Sequence, residues 1–518
     1  MKCVFRADAS LEIGTGHIMR CLTLAAALEK HGADIQFITR EHSGHLGDML
    51  VRNGFAVTLL PSPEVQMLNE EGYSTWLGVS QQEDAEQSIL AMQNQPVDWV
   101  IVDHYGLDHI WEVRLKSYTH RLMVIDDLAN RSHVCDVLLD QNYAISREDR
   151  YRPLVPEYCK FLLGPQYALL RPEYVHYRDT MVPRTGNIER VLVFMGGSDN
   201  SNVTSKVLAA LSTDQLGYLE VDVVIGANFI HKISVSKQAE NRPNTQIHGP
   251  CPHLANLMAN ADLAIGAGGA TTWERLCMGL PSLVISIADN QIQSCEALAS
   301  CGLIQYLGNS HDLDVAKIES ALNNALSMSR SLQELATVNQ TMVDGLGASR
   351  VAEVLKPTKS ENLTLRLANE RDALFYFSWV NDPIVRSSAN NSEPIDMSTH
   401  LRWFDDRMKD VDSFLYVLEA GDLPVGQVRF ERRDGKVTID YSLDVLVRGR
   451  GWAKQLLKLG MEMFGKEQSI IFNASVKPEN LASAATFVGL GFIEQKSDKP
   501  DCNLHYQLSV LAPQKRGL

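Results

Sequence analysis

The first apolar segment of the chain is followed by two glycines, a histidine and an arginine: Gly14, Gly16, His17 and Arg20. The glycines permit a tight turn and leave backbone N–H groups exposed where a helix begins. His17 then lies in the first helical turn, where the positive helix end disfavours imidazolium, so we expect a neutral, proton-accepting side chain. Arg20 shares that face and can hold an anionic or polyhydroxy ligand. Alternatively, His17 only caps the helix and Arg20 pairs with an acidic neighbour.

A second glycine-rich turn follows a later apolar segment. Its residues are Gly268, Gly269, Ala270, Thr271, Thr272 and Glu274. Amides exposed at such a turn, together with the dipole of the following helix, suit a diphosphate. Glu274 falls early in that helix, where it can accept hydrogen bonds from ribose hydroxyls. One such turn is weak evidence for a nucleotide site, but a second one facing His17 across a cleft is stronger evidence.

A third turn of this kind precedes an amphipathic helix late in the chain. Its residues are Leu446, Arg448, Gly449, Arg450, Gly451, Trp452 and Ala453. Successive amides at a helix start suit a pyrophosphate here as well. A later segment contains Asn480, Ser483 and Phe487, followed by the pair Gly491 and Phe492.

The first two turns lie within a pattern of apolar segments that alternate with amphipathic helical stretches. A first series of strands is predicted at Cys3–Arg6, Ile35–Thr39, Val97–Asp103, Leu122–Ile125 and Val137–Asp140, with a helix at Ile18–Glu29. A second series is predicted at Val191–Met195, Val221–Ile225, Thr245–His248, Leu263–Gly266 and Ser282–Ile285. The pattern predicts an α/β fold of two Rossmann-like domains with sites at the carboxyl ends of the strands. A helical tail at Ser329–Leu355 is expected to pack across both halves.

The pattern changes after Lys356–Glu361, a short polar segment with a proline that we interpret as a linker. Strands are predicted beyond it at Phe414–Leu418, Val425–Phe430, Val437–Leu443 and Ile470–Val476. The turns between the first three are typical of antiparallel hairpins, so the third unit is predicted to be α+β. We therefore expect three domains, at residues 1–180, 188–355 and 361–510.

Composition narrows the class of protein. The net charge of −15 argues against general attraction to nucleic acid or to an anionic membrane, since both need a positive surface. The nine cysteines are scattered without a C-x-x-C pair, which predicts neither a zinc site nor a disulfide framework. The N-terminus becomes charged too early for a signal peptide, and no apolar run is long enough to span a bilayer. We expect a cytoplasmic protein that binds neither nucleic acid nor membrane.

Two family resemblances cover the first part of the chain. The second turn, followed by Gly279–Pro281 and Asp289–Gln291, resembles the nucleotide-binding half of the MurG-type glycosyltransferases, which have the GT-B fold. The first turn is more similar to the UDP-sugar hydrolase of pseudaminic acid biosynthesis. The segments that carry this likeness are Arg6–Ser10, Gly14–Leu22, Ile125–Arg131 and Leu163–Pro172. The resemblance extends over approximately residues 1–355.

The hydrolase resemblance implies that water replaces UDP at the anomeric carbon of UDP-2,4-diacetamido-2,4,6-trideoxy-β-L-altropyranose. His17 would be the catalytic residue that activates or orients this water. The residues expected to bind UDP are Gly268, Gly269, Ala270, Thr271, Thr272, Glu274, Asn290 and Gln291. Those expected to bind the sugar are Asp8, Gly14, Gly16, Arg20, Asp103, His104 and Tyr105. The strand-end residues in the second set have an ordinary alternative as structural turn residues.

The third turn resembles motif A of the GNAT acetyltransferases, Gln/Arg-x-x-Gly-x-Gly/Ala, and the segment from Asn480 to Phe492 resembles the final core segment of that family. The resemblance covers approximately residues 361–510. It implies acetyl-CoA as a co-substrate. The residues expected to bind it are Leu446, Arg448, Gly449, Arg450, Gly451, Trp452, Ala453, Asn480 and Ser483.

One position departs from the GNAT pattern. Many members place a tyrosine where this chain has Phe487, and phenylalanine has no proton to give to the leaving thiolate. The sequence leaves Ser483, Tyr441, Tyr506 and water as candidates for that proton donor.

The two resemblances together point to an acetyl acceptor. Pseudaminic acid biosynthesis acetylates the 4-amino group of a UDP-linked sugar just before UDP is removed, so UDP-4-amino-4,6-dideoxy-N-acetyl-β-L-altrosamine is the expected acceptor. Two other interpretations stay open: a glycosyltransferase of MurG type, and a nucleotide-sugar sensor whose GNAT domain acetylates a protein. We expect no metal requirement. The oligomeric state is not determined by the sequence.

Overall fold

The computed structural model describes residues 1–62, 72–144, 147–197, 199–226, 228–250, 254–356, 363–389, 391–464, 470–495 and 503–510. Residues 357–361 of the predicted linker lie outside these ranges. Met1–Lys356 form one compact unit, here called the first unit, and residues 357–518 form the second unit. Within the described ranges, no helix has both the length and the apolar character needed to cross a membrane.

The first half of the first unit contains a seven-stranded parallel sheet. Its strands are β1 (Lys2–Ala7), β2 (Asp34–Arg40), β3 (Ala56–Leu60), β4 (Val97–Asp103), β5 (Thr119–Ile125), β6 (Val137–Asp140) and β7 (Lys160–Leu163). They lie in the order β3-β2-β1-β4-β5-β6-β7, so the strand order reverses between β1 and β4. The carboxyl ends of strands at such a reversal form a crevice where doubly wound sheets bind ligands.

Helices connect these strands. They are α1 (Gly16–Lys30), α2 (Gly47–Arg52), α3 (Gln81–Ala91), α4 (His109–Leu115), α5 (Arg147–Tyr151) and α6 (Pro172–Thr180), with a 3₁₀ helix at Gly72–Leu77. Strand β6 is wholly buried and β4 almost so, as expected of parallel strands covered on both faces. Their bounds agree with the predicted ones. Strands β3 and β7 were not predicted; they form the two edges of the sheet, and only Leu60 of β3 is fully buried.

The second half of the first unit repeats this architecture. Its strands are β8 (Arg190–Phe194), β9 (Glu220–Val224), β10 (Thr245–His248), β11 (Leu263–Ala267), β12 (Ser282–Ser286) and β13 (Gln305–Asn309). Its helices are α7 (Val203–Leu211), α8 (Lys232–Glu240), α9 (Leu254–Asn260), α10 (Thr271–Cys277), α11 (Ile292–Ser300) and α12 (Val315–Leu326). The parallel order β10-β9-β8-β11-β12-β13 again reverses at one point, between β8 and β11. The predicted α/β fold with two Rossmann-like halves, the GT-B type of architecture, is confirmed.

The predicted helical tail is two helices rather than one, α13 (Ser329–Met342) and α14 (Gly347–Leu355). The break contains Gly345, whose φ of +84° suits glycine and whose Cβ, if present, would lie 2.6 Å from the Val175 side chain. Asp344 in the same break forms an ion pair with Arg350. Helix α13 packs against α10 and α14 packs against α1, so the tail does return across both halves.

The second unit is α+β, as predicted. Its strands are β14 (Leu363–Leu367), β15 (Ser413–Ala420), β16 (Leu423–Arg433), β17 (Lys436–Leu443), β18 (Ile470–Val476), β19 (Ile493–Gln495) and β20 (Leu504–Val510). Its helices are α15 (Ala373–Val380), α16 (Pro383–Ser388), α17 (Met397–Lys409), α18 (Trp452–Phe464) and α19 (Leu481–Val488). The sheet order is β14-β15-β16-β17-β18-β20-β19. Only β17 and β18 pair in parallel, and their pairing is confined to Lys436–Thr438 and Ile471–Asn473. The rest of both strands borders an opening in the sheet.

A buried network of ion pairs links β1 to β2 and α3. Asp84 accepts hydrogen bonds from Arg6 Nη2 and Arg40 Nη2, each at 2.6 Å, and from the Trp111 indole at 2.9 Å. Arg6 also donates to both carboxylate oxygens of Asp8. All four charged side chains are fully buried, so each charge depends on its partners rather than on water.

We predict that Asp84→Asn lowers the free energy of unfolding of the first unit by about 3–5 kcal/mol, because the buried guanidinium of Arg40 loses its carboxylate partner and that of Arg6 keeps only Asp8. Denaturant unfolding of the full chain measures the loss. The matched control is Glu83→Gln on the same helix, since Glu83 is exposed and its substitution should cost at most about 0.5 kcal/mol. Equal effects of the two substitutions would contradict the role given to the network.

Candidate active sites

Two neighbouring strands bring the predicted histidine together with a carboxylate. In the register of β1 and β4, Ala7 lies opposite Asp103, and α1 begins just after β1. The first turn of α1 therefore lies close to the end of β4. His17 Nδ1 is 2.6 Å from Asp103 Oδ1, and Arg20 donates to the same carboxylate from Nε at 2.5 Å and from Nη2 at 2.6 Å.

The shared carboxylate determines which nitrogen of His17 is free. Burial raises the pKa of Asp103, but the charge of Arg20 and the contact with His17 outweigh burial and hold that pKa below its ordinary value. An ionised carboxylate only accepts hydrogen bonds, so in neutral His17 the hydrogen is on Nδ1 and the lone pair on Nε2. His17 thus has the arrangement of a general base. Arg20 pairs with an acidic neighbour, the alternative named for it above.

A cavity of about 150 Å³ lies between the two halves of the first unit. The predicted site residues that line it are Gly16, His17, Arg20, Tyr105, Gly268, Gly269, Ala270, Asn290 and Gln291. The residues that line it without having been predicted are Asp127, Gln141, Asn142, Trp273 and Ser294. The carboxyl-end loops of β1 and β11, the two glycine-rich turns, therefore meet at one site.

Gly268 illustrates why the second turn contains glycine. A Cβ at this position would lie 2.3 Å from the sulfur of Cys295, so any side chain would force the loop out of place. Behind the turn, the hydroxyls of Thr271 and Thr272 accept hydrogen bonds from Arg275 at 3.1 and 3.0 Å. Neither threonine lines the cavity, and their predicted contact with UDP stays a prediction.

Glu274 also lies outside the set of cavity-lining residues. Burial raises the pKa of Glu274, against the opposing effects of Tyr174 and Arg171. Its Oε2 is buried and has no hydrogen-bond partner in the described part of the chain. Because this oxygen is buried and Glu274 does not line the cavity, the structure adds no support for the predicted ribose contact, which stays a prediction.

Asp8 occupies a different position from the one predicted for a sugar-binding residue. Its carboxylate is fully buried and accepts hydrogen bonds from Arg6, from the Thr39 hydroxyl and from the backbone N–H of Arg40. The fold therefore already uses this carboxylate as a hydrogen-bond acceptor, Asp8 does not line the cavity, and its contact with the sugar stays a prediction. Gly14 has a φ of +80° and shapes the turn without lining the cavity.

His104 is likewise enclosed. Burial lowers the pKa of His104 to about 3 despite the nearby charge of Asp8, and its Nδ1 accepts a hydrogen bond from the Gly106 N–H. It is a neutral structural residue at the end of β4 rather than part of the cavity wall. This outcome corresponds to the structural alternative stated for the strand-end residues.

Aromatic rings surround the histidine. The ring centroid of Tyr105 is 4.6 Å from that of His17, and Trp76 stacks on Tyr105 at 5.6 Å. Tyr73 contacts both Trp76 and Tyr105. Tyr73 and Trp76 belong to the 3₁₀ helix and were not predicted, because two aromatic residues in a polar connecting segment indicate nothing about their position in three dimensions.

Asp127 adds a second carboxylate to the cavity. It accepts a hydrogen bond from the Tyr105 hydroxyl at 2.6 Å and lies 3.5 Å from Arg20 Nη1. It directly follows Asp126 at the end of β5, so the strand-end rule that selected Asp103 would have found it as well. Burial raises the pKa of the nearby Asp140 to about 7, and the charge of Asp127 adds to this effect.

In the second unit, Asn480 and Ser483 line a cavity of about 430 Å³ beside the opening between β17 and β18. Asn480 Oδ1 accepts a hydrogen bond from the Ser483 N–H and so caps α19. Tyr441 on β17 lines the same cavity, and its hydroxyl lies 3.0 Å from Ser483 Oγ.

The predicted cofactor loop has the backbone that its glycines require, with φ of +79° at both Gly449 and Gly451. Arg448 fastens the loop by donating to the Leu443 carbonyl and by pairing with Asp382 at 2.9 Å. The other predicted loop residues are Leu446, Arg450, Trp452 and Ala453. The loop does not line the 430 Å³ cavity, and its contact with acetyl-CoA stays a prediction.

The charged side chains around this cavity are mostly cationic. Arg386, Arg429 and Lys477 line it, and Asp440 is the acidic residue among its lining residues. Asp440 is paired with Arg429 at 2.9 Å. In the described part of the chain, Arg386 and Lys477 donate hydrogen bonds to backbone carbonyls, and no carboxylate neutralises their positive charges.

No group of three or more His, Cys, Asp or Glu side chains in the described ranges is placed to hold a metal ion.

Both units are similar to known proteins. Residues 191–351 match the glycosyltransferase family 28 C-terminal domain, and residues 362–493 match the acetyltransferase (GNAT) domain. "Uncharacterized protein MJ1062" of Methanocaldococcus jannaschii is 23% identical over 523 residues, covering 96% of this chain and 98% of that protein. The two-unit arrangement is therefore matched by a relative along nearly its whole length.

Two relatives match the first unit alone. The spore coat polysaccharide biosynthesis protein SpsG of Bacillus subtilis is 25% identical over 355 residues, covering 68% of this chain and 96% of that protein. The UDP-2,4-diacetamido-2,4,6-trideoxy-beta-L-altropyranose hydrolase of Campylobacter jejuni is 25% identical over 302 residues, covering 58% of this chain and 97% of that protein. The chain is thus an enzyme that joins a hydrolase-type unit of glycosyltransferase-like fold to a GNAT acetyltransferase domain. The family resemblances inferred from its sequence are confirmed.

We predict that Asp140→Asn flattens part of the pH dependence of stability of the first unit. The folded pKa of about 7 lies above the unfolded value of 3.8, so ionisation of Asp140 costs stability progressively as the pH rises from 4 to 7. Over this window, the free energy of unfolding of the variant should increasingly exceed that of the wild type, by up to roughly 4 kcal/mol. Calorimetry of the full chain at pH 4 to 8 measures the difference. Asp149→Asn, an exposed neighbour, is the control, and a difference independent of pH would contradict the assignment.

Proposed function

We propose that the first unit hydrolyses UDP-2,4-diacetamido-2,4,6-trideoxy-β-L-altropyranose to the free sugar and UDP. The observation that carries this proposal is the setting of His17 in a cavity shared with the second glycine-rich turn. Its Nδ1 is held by Asp103, and its Nε2 has no hydrogen-bond partner in the described part of the chain. A base on one wall and a diphosphate-binding turn on the other are what a displacement of UDP by water requires. The similarity to the Campylobacter jejuni hydrolase supports the choice of substrate.

In the proposed reaction, His17 Nε2 accepts a proton from water as the oxygen attacks the anomeric carbon. The bond between that carbon and the β-phosphate oxygen breaks, and UDP leaves with the electron pair. Asp103 stabilises the imidazolium that forms, while Arg20 keeps Asp103 ionised. Amides of the Gly268–Ala270 turn would stabilise charge on the diphosphate. UDP is already a good leaving group, so we propose that no metal is required.

The second unit is proposed to acetylate the 4-amino group of the precursor UDP-sugar, with acetyl-CoA as donor. The charges of Arg386 and Lys477 support an anionic acceptor, since a diphosphate would supply the missing counter-charge. A polyamine acceptor would meet repulsion at the same place. The two reactions would then be consecutive, with acetylation in the second unit preceding UDP release in the first.

We predict that His17→Ala lowers UDP release by about 10²–10⁴-fold, because the general base is lost, while acetyl transfer is unchanged. Asp103→Asn should also lower UDP release, because the amide no longer fixes the tautomer of His17. UDP and free sugar are followed by mass spectrometry and NMR, and coenzyme A by its thiol.

The control is His120→Ala, an exposed histidine on β5, which should release UDP at the wild-type rate. Release of UDP only when an acceptor alcohol is added would identify a glycosyltransferase instead. Bound but unchanged UDP-sugar would favour a sensor. Loss of both activities in His17→Ala would contradict two independent sites.

A further prediction concerns the acetyl acceptor. Arg386→Gln and Lys477→Gln should each raise KM for the UDP-amino sugar by about tenfold or more, because a charge-assisted hydrogen bond contributes about 1.5–3 kcal/mol. KM for acetyl-CoA should stay the same. Arg402→Gln is the matched control, since Arg402 is exposed and does not line the cavity. A lower KM of the glutamine variants for spermidine, together with an unchanged KM for the UDP-amino sugar, would contradict an anionic acceptor.

A further inference from the structure

The departing thiolate in acetyl transfer must gain a proton, and the side chain at the expected position, Phe487, cannot supply one. Phe487 lies on α19 one turn after Ser483, so the two share a helical face, and both line the 430 Å³ cavity. The ring of Tyr441 meets Phe487 edge-on, with the centroids 5.8 Å apart. A phenol from β17 therefore stands beside the phenyl ring of α19.

The position of Tyr441 follows from the sheet. Pairing between β17 and β18 ends at Thr438 and Asn473, so Tyr441 borders the opening between the strands. Ser475 and Val476 of β18 line the same cavity from the other strand. A thioester placed in this opening would lie between the two strands and next to the Tyr441 hydroxyl.

Two other proton donors that line the cavity, Tyr376 and His400, are engaged elsewhere. The Tyr376 hydroxyl donates to the Tyr416 carbonyl at 2.9 Å, and His400 Nε2 lies 2.8 Å from the Ala373 carbonyl. Burial lowers the pKa of His400, so the ring is neutral and its one hydrogen is used in that bond. Lys477 Nζ donates one of its three hydrogens to the Ser387 carbonyl, and the proposed function assigns its positive charge to the diphosphate of the acceptor.

The two tyrosines among the candidates named from the sequence differ in their surroundings. Tyr506 stacks on Phe487 and is not among the cavity-lining residues. Tyr441 lines the cavity and shares a hydrogen bond with Ser483 Oγ, 3.0 Å away. Burial raises the pKa of Tyr441, which keeps the phenol protonated at neutral pH. Because Ser483 can donate to the phenol oxygen, the Tyr441 hydrogen is free to point elsewhere.

We propose that Tyr441 is the general acid of the acetyltransferase and that Ser483 orients its hydroxyl. The acceptor amine forms a bond to the carbonyl carbon, the carbon–sulfur bond breaks, and the sulfur takes the hydroxyl proton of Tyr441. The phenolate then regains a proton, balanced by the one that the new amide nitrogen loses. This assignment rests on the proposed acetyl transfer.

The test measures coenzyme A release by the full chain with acetyl-CoA and the UDP-4-amino sugar. Tyr441→Phe should lower kcat by about 100-fold, with KM for both substrates within about twofold of wild type, because only the proton donor is removed. Ser483→Ala should lower kcat by about tenfold with the same unchanged KM values. Tyr506→Phe, which removes a hydroxyl outside the cavity, should keep the wild-type kcat.

Each other result has a definite meaning. A kcat for Tyr441→Phe within about threefold of wild type overturns the assignment, as does a change confined to KM. A large loss in Tyr506→Phe with an active Tyr441→Phe assigns the acid to Tyr506 instead. Spermidine is tested in parallel as a second acceptor. A wild type that binds acetyl-CoA but transfers to neither amine refutes the proposed acetyl transfer, and the acid assignment with it.

Discussion

The carboxylate of Asp103 accepts hydrogen bonds from both His17 and Arg20, and the geometry of the first site depends on this shared acceptor. It exists because β1 and β4 are neighbours at the reversal of strand order, which places the end of one strand beside the helix that follows the other. A buried carboxylate needs such partners, since removing one would leave an uncompensated charge. The same contacts that satisfy Asp103 fix the His17 ring, so stability and reactivity have one structural origin here.

Buried parallel strands were the most predictable part of the fold. Val97–Asp103 and Val137–Asp140 are continuous apolar runs because both of their faces are covered, and such runs end where the strand leaves the core. Edge strand β3 has one covered side at most, and its sequence did not distinguish it from a connecting segment. The break between α13 and α14 depends on the approach of Val175 to Gly345, a contact between distant parts of the chain that helical periodicity does not contain.

The site was predictable where backbone conformation determines residue type and less so where packing does. Gly14 and Gly449 were found because each lies in a turn with a positive φ, a backbone conformation that favours glycine. Asp8 and Asp103 have the same local setting, a carboxylate at the end of a buried strand. Asp8, however, accepts hydrogen bonds from Arg6, whereas Asp103 contacts His17. Only the three-dimensional neighbours separate the two roles.

The two cavities handle charge in opposite ways, and this difference bears on how each would act on a UDP-sugar. In the first unit, Arg20 is neutralised by Asp103 and Asp127, so it can tune His17 without binding the diphosphate strongly. In the second unit, Arg386 and Lys477 have no such carboxylate in the described part of the chain. A site that must release UDP gains little from tight ground-state binding of phosphate, because only interactions stronger in the transition state accelerate the reaction. Acetyl transfer leaves the bond between UDP and the sugar unbroken, so a site for this reaction can bind the diphosphate tightly in order to position the amine.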